Sequence, residues 1–268
     1  MGDDPAVTGG RLAGKLTIVS GAASGIGEAI VRRFRQEGAS VLAIGLQPER
    51  LEALARDSGA EWHACDISDE AAVQAAIARG AAECGRIDIV VNAAGIVHGD
   101  DVEDIDDAMW SRALDVNLTG VMRVCRAALP LMRRQRAGAI VNVASVAAFN
   151  ASPGMASYSA SKAGLVALTR AIANRYGQDG IRANCLCPGW VRTPMSEQEM
   201  RDLARVNGST AEAEFAALTR RISLQRIARP AEMASCALFL ASDDASFVTG
   251  AVLVADGGAR IAAAARAP

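Results

Sequence analysis

Lys15-Leu16-Thr17-Ile18-Val19-Ser20-Gly21-Ala22-Ala23-Ser24-Gly25-Ile26-Gly27 is the stretch whose reading decides the fold. Its first six residues are mostly apolar, partly β-branched and bounded by Gly14 and Gly21, the pattern of a short buried strand. A glycine turn follows at once, then a helical pattern from Glu28 to Glu37 that Gly38 ends. Strand, glycine turn and helix make the setting a dinucleotide requires. Glycines let the backbone approach the pyrophosphate, and the helix N-terminus turns free N–H groups toward its charge. The spacing is G-x-x-x-G-x-G, not G-x-G-x-x-G, and an ordinary turn remains the alternative for the loop taken alone.

Working outward, the chain alternates strand and helix. Strands are expected at 15–20, 40–44, 60–65, 87–91, 138–143, 181–186 and 250–254. Helical stretches are expected at 48–57 after Pro48, 69–83 after a Ser68 cap, 104–115, 117–136 and 156–177. This rhythm implies one α/β domain over residues 11–268, a Rossmann-like, doubly wound parallel sheet of about seven strands with helices on both faces. Residues 1–10 read as a disordered lead-in without a secretory signal. The least regular segment is 190–228. Trp190, Met195, Met200, Leu203, Phe215 and Leu218 give it an apolar face, and Gly208 gives it a flexible point.

A second stretch, Tyr158-Ser159-Ala160-Ser161-Lys162, has Ser145 thirteen positions upstream of the tyrosine. A helix puts i and i+4 on one face, so Tyr158 and Lys162 meet. A nearby ammonium favours phenolate and lowers a phenolic pKa, turning Tyr158 into a usable general acid or base. The pair alone fits an ordinary helix face equally well.

Together these residues resemble the short-chain dehydrogenase/reductase family over nearly the whole chain. The glycine loop, Asn92-Ala93-Ala94-Gly95, Asn117, Ser145, Tyr158, Lys162, Pro188-Gly189 and Asp256-Gly257-Gly258 stand in the family's order and spacing, with Ser20 where Thr is usual. The resemblance implies an NAD(P)-dependent alcohol dehydrogenase or ketoreductase that interconverts a secondary alcohol and a ketone by hydride transfer. Tyr158 would be the general acid/base, Lys162 would lower its pKa and hold the ribose, and Ser145 would bind the carbonyl oxygen. Asn117 would position a relay water. The nucleotide would lie along Gly21, Ser24, Gly25, Ile26, Gly27, Gly45, Leu46, Gln47, Asp66, Ile67, Asn92, Ala93, Ala94, Gly95, Tyr158, Lys162, Pro188, Gly189, Val191 and Thr193. Substrate would meet Ser145, Ala147, Phe149, Met155, Tyr158, Trp190 and His98, with Ile96 and Val97 nearby and the 190–228 segment as a lid.

The second strand ends in Gly45-Leu46-Gln47. The acid that would hold a ribose 2′-OH and the Arg that would pair a 2′-phosphate are both missing. Arg50 is the one nearby cation, and NAD is favoured over NADP. The candidate pocket residues are mainly apolar, which fits a cyclic, aliphatic or polyol-type alcohol. A 3-oxoacyl-carrier-protein reductase is an alternative that would use Arg123, Arg126, Arg133, Arg134 and Arg136 for docking. A nucleotide-sensing binding protein without turnover is a third reading.

Hydrophobic residues make up 51% of the chain and aromatics 4%, so small aliphatic side chains must build the core. A net charge of −2 with no basic block argues against nucleic acid as a partner, and no apolar run suffices for a membrane span. Cys65, Cys84, Cys125, Cys185, Cys187 and Cys236 form no C-x-x-C pair, and with His63 and His98 they offer no metal spacing. Cys185 and Cys187 are expected on one face of a strand. A cytoplasmic homotetramer with reduced thiols is expected.

Overall fold

Seven strands pair in parallel in the order β3-β2-β1-β4-β5-β6-β7 in the computed structural model of this chain, which describes residues 9–82 and 85–259. The strands are β1 (Leu16–Ser20), β2 (Ser40–Gly45), β3 (Glu61–Ala64), β4 (Ile89–Asn92), β5 (Gly138–Val143), β6 (Ile181–Pro188) and β7 (Val252–Ala255). All seven expected strands are present, with ends shifted by a residue or two. Both β2 and β4 pair with β1, so the chain reverses its direction of travel across the sheet there. Crevices at such a switch point receive ligands at the carboxyl ends of the strands.

Strand alternation explains why the sheet is covered twice. Ile18, Leu42, Ile44, Val90 and Ile140 point to one face, where they pack with α3 (Glu70–Ala81), α5 (Val121–Gln135) and α6 (Ala156–Tyr176). Val19, Val41, Ala43, Val91 and Val141 point to the other, against α1 (Gly25–Gln36), α2 (Pro48–Ser58) and α9 (Pro230–Ala241). Cys185 and Cys187 both lie in the first layer, on one face as expected. Of the lead-in expected at 1–10, residues 1–8 lie outside the described residues. Gly10, the last residue of that range, packs so closely on Glu37 that a Cβ would overlap its backbone.

Three local expectations are corrected. Asp69, not Ser68, caps α3: its carboxylate accepts from Ala71 N at 2.8 Å and Ala72 N at 3.2 Å, while Ser68 Oγ donates to Asp66 Oδ1 at 2.7 Å. The stretches 104–115 and 117–136 are not separate helices. Asp106 caps α4 (Asp107–Leu114), which continues through a π-helical segment, Asp115–Gly120, directly into α5. Segment 190–228 is largely helical, with α7 (Pro194–Asn207) and α8 (Ala211–Thr219). Thr193 and Ser196 form a reciprocal capping box with Pro194 at the first helical position, and Gly208 closes α7 at φ 61°. Gly208 is therefore a helix stop rather than a flexible point.

Candidate active site

The carboxyl ends of β1, β2, β4, β5 and β6 open into a cavity of about 410 Å³. Its nucleotide half is shaped by glycines. Gly21 takes φ 66°, and a Cβ there would stand 2.5 Å from Ala94 N. At Gly27 a Cβ would run into the carbonyl oxygen of Gly21, so the turn can pack this tightly only without side chains. Ser24 sits extended ahead of α1, whose N-terminal residues Gly25, Ile26 and Gly27 line the cavity. Unpaired N–H groups at that helix end suit a pyrophosphate, and the cradle fits the dinucleotide implied by the sequence.

Gly45, Leu46 and Gln47 line the rim where β2 ends, with Leu46 60% exposed. Asp66 lines the wall beside it and accepts from Ser68 N at 2.8 Å and Ser68 Oγ at 2.7 Å. Burial works against its charge, yet the Ser68 hydrogen bonds and Arg112 at 3.4 Å hold its carboxyl below the usual range. The cavity-lining cations are Arg112 and Lys162; Arg50 does not line it.

The chemical half is built from three elements. Tyr158 and Lys162 lie one turn apart on α6, with Lys162 Nζ 5.6 Å from the centre of the Tyr158 ring. Ser145 leads the turn after β5; its Oγ accepts from Ala147 N at 3.1 Å, and it draws the proton affinity of the Tyr158 hydroxyl down. Asn117 lies fully buried in the π-helical segment. Such segments are frequent at functional sites because they re-aim side chains within a helix. Its Oδ1 accepts from Ile96 N at 2.8 Å, and its Nδ2 donates to Ile96 O at 2.9 Å and Ser161 Oγ at 3.0 Å. Ser161 Oγ in turn donates to Tyr158 O at 2.7 Å. Asn117 therefore ties the loop after β4 to the helix carrying Tyr158. Gly95 lies between them: a Cβ there would be 3.3 Å from both Asn117 Oδ1 and Lys162 Nζ.

The proton affinities depart from the simple expectation for the pair. Burial pushes Tyr158 up to about 12; the Ser145 hydrogen bond pulls the other way, and the charge of Glu199 adds to the rise. Burial pushes Lys162 down to about 8, with its Nζ donating to Val143 O at 3.0 Å. In this structure the ammonium is itself desolvated, so the drop in the tyrosine pKa expected from Lys162 is outweighed by burial of the phenol.

All the expected nucleotide residues line the cavity except Asn92. The Asn92 side chain is buried on the face that Val90 shares, donating from Nδ2 to Asn142 Oδ1 at 2.8 Å, and Asn142 Nδ2 continues to Thr169 Oγ1 at 2.8 Å. It braces β4 and β5 against α6, away from the cavity wall. Ser145, Ala147, Met155, Tyr158 and Trp190 line the substrate end as expected. His98 and Phe149 do not; Phe149 is 45% exposed, outside the cavity wall. Sequence reasoning missed Glu199, Asn150 and Ser152, which do line it. The signal for Glu199 was the Thr193-Pro194 helix start, which puts Met195 and Glu199 on one face, four residues apart.

Comparison with known proteins agrees with this geometry. A family model described as enoyl-(acyl carrier protein) reductase matches residues 21–260. Oxidoreductase UcpA of Salmonella typhimurium is 40% identical over 258 residues, covering 94% of this chain and 97% of that protein. D-threitol dehydrogenase of Mycolicibacterium smegmatis is 40% identical over 253 residues, covering 92% and 94%. An actinorhodin polyketide ketoreductase solved with NADPH superposes with a TM-score of 0.89 at 31% identity, covering 95% of this chain and all of that one.

Proposed function

The chain belongs to the short-chain dehydrogenase/reductase family of NAD(P)-dependent oxidoreductases, and from that premise we propose that it interconverts a secondary alcohol and a ketone. The observation that carries this reading is the convergence of Ser145, Tyr158 and buried Lys162, one turn after the tyrosine, on the same cavity as the glycine cradle. The cradle, Asp66, Lys162 and the Pro188–Thr193 wall would hold a nicotinamide nucleotide, which would supply the hydride chemistry.

The chain's own residues orient and move the proton. Ser145 Oγ fixes the substrate oxygen next to Tyr158. The Tyr158 hydroxyl donates its proton to that oxygen in reduction, and in oxidation its phenolate form takes the alcohol proton back. Lys162, whose proton affinity lies near neutrality, passes charge between Tyr158 and the Asn117 side of the site. Asn117 and Gly95 keep the three groups in register. We assign α7 and α8 as the lid that excludes water, since Pro194, Met195, Ser196 and Glu199 of α7 close the substrate end.

NAD is our preferred nucleotide: no lining cation faces the Gly45–Gln47 rim except Arg112, which Asp66 and Ser68 engage. A small alcohol is preferred over a carrier-protein thioester. Arg123, Arg126, Arg133 and Arg136 are ion-paired with Asp115, Glu70 and Asp179, which removes much of the basic docking face. Packing of copies into a homotetramer belongs to the same proposal, and light scattering tests it. No helix among the described residues is long and apolar enough to cross a membrane. The test of the activity is nicotinamide absorbance with NAD or NADP against secondary alcohols, cyclic alcohols and polyols, with the matching ketones in reverse. Nucleotide binding without turnover of any of them would favour a sensor.

A further inference from the structure

The substrate end of the cavity holds one carboxylate that the reaction as described does not use. Glu199 lies on the inner face of α7, four residues after Met195, and lines the same cavity wall as Ser145 and Tyr158. No hydrogen bond or ion pair among the described residues engages it, and burial alone pushes its carboxyl up to about 7. Its polar neighbours on α7 are paired with other groups: Glu197 with Arg192, Gln198 with Asp202 at 2.8 Å, and Ser196, which also lines the cavity, with the Val191 carbonyl at 2.7 Å. The cavity's two cations are engaged away from it, Arg112 by Asp66 and Lys162 by the Val143 carbonyl. Asn150 and Ser152, from the loop after β5, face the same space.

A half-buried carboxylate beside apolar walls needs donors, and this one has none from the protein. It shares the cavity lining with Tyr158 and Ser145, and its charge raises the proton affinity of the tyrosine. We propose that Glu199 accepts a hydrogen bond from a second hydroxyl of the substrate, so that the site takes vicinal diols or polyols and turns away carboxylates. This rests on the dehydrogenase reading above and names its substrate class. A neutral diol gains a charged acceptor, with Asn150 and Ser152 to receive further hydroxyls. Once Glu199 is ionised, above about pH 7, an anionic hydroxy acid meets uncompensated like charge.

The test uses the full-length enzyme with its preferred nucleotide and three substrates on one carbon skeleton: the vicinal butanediol, sec-butanol and the hydroxybutyrate anion. Wild type should prefer the diol to the mono-alcohol. Glu199→Gln, which keeps shape and removes charge, should cut the diol-to-mono-alcohol ratio of kcat/KM by about tenfold, and Glu199→Leu by up to about a hundredfold, through the KM of the diol. Hydroxybutyrate turnover should rise in Glu199→Gln. An equal fall for diol and mono-alcohol in both variants, or a wild type indifferent to the second hydroxyl, overturns the assignment while leaving the dehydrogenase intact. A wild type that oxidises neither alcohol with NAD or NADP, and reduces neither ketone, overturns this assignment; silence across the wider panel of secondary alcohols, cyclic alcohols and polyols overturns the dehydrogenase reading with it.

Discussion

Replacing Lys162 with Met should abolish turnover and change the pH dependence of stability in a calculable way. Lys162 is 4% exposed, and the polar contact the structure gives its ammonium is the Val143 carbonyl at 3.0 Å. Burial lowers its pKa from 10.5 to about 8. At ~1.4 kcal/mol per tenfold change in proton affinity, holding the ammonium in the folded state near neutral pH costs about 3 kcal/mol. The sign follows from proton counting. Between about pH 8 and pH 10.5 the unfolded chain holds this proton and the folded chain has lost it, so wild-type stability rises with pH through that window. Below about pH 8 the cost is present in full. Methionine carries no proton and fills a similar unbranched volume, so the variant has no such rise. Whatever the Val143 carbonyl loses is the same at every pH. The stability of Lys162→Met relative to wild type should therefore fall by about 2 kcal/mol between pH 7 and pH 9.5. Urea unfolding of both proteins, free of nucleotide, at several pH values reads this directly. A gap that stays constant across the range would refute the picture of Lys162 as a penalised buried cation.

Three further outcomes follow from the same geometry. Tyr158→Phe should lower kcat by orders of magnitude while nucleotide affinity, followed by calorimetry, changes little; near-normal turnover would sink the proton-transfer role. Gly45→Asp adds a carboxylate where a Cβ would make only ordinary contacts, the nearest 3.6 Å from Ala23 Cβ, so the fold should tolerate it. The ratio of kcat/KM for NAD over NADP should rise by about tenfold or more, as the acid accepts from a 2′-OH and repels a 2′-phosphate; an unchanged ratio would mean the rim is not where the ribose lies. Gly27→Ala forces the α1 turn away from Gly21 and should weaken nucleotide binding at least about tenfold in a titration, because the cradle's N–H groups are displaced together.

The sequence made the sheet legible because a strand buried on both faces is apolar throughout, and each strand from β1 to β6 is followed by a helix of different periodicity. Motif spacing made Ser145, Tyr158 and Lys162 legible for the same local reason: a strand end and one helical turn leave little freedom in where those side chains go. Asn117 was named from its motif position, but its setting was hidden. The sequence pattern divides the chain into two helices at Val116, where it in fact runs on through the π-helical segment Asp115–Gly120. Asn92 failed on strand parity. Val90 and Asn92 share a face, and that face is the layer containing Cys125, so the side chain is turned into the core while its neighbours Ala93 to Gly95 reach the cavity.

The proton affinities and Glu199 were hidden for a different reason, and the two are connected. A pKa depends on burial and on charges brought together by tertiary packing, neither of which spacing reveals. Spacing correctly put an ammonium beside a phenol, but the same packing that assembles them removes water from both. The balance at Tyr158 is set by burial, by Ser145 and by a carboxylate 41 positions further along the chain, from a helix that reads as irregular when its Thr193 cap is overlooked. With Glu199 ionised, a second negative charge at Tyr158 is disfavoured, so the hydroxyl stays protonated and ready to donate. A substrate hydroxyl that hydrogen-bonds Glu199 would soften that opposition when it arrives. Recognition of the substrate and readiness of the proton would then be coupled through one side chain, which apolar lid residues alone would not provide.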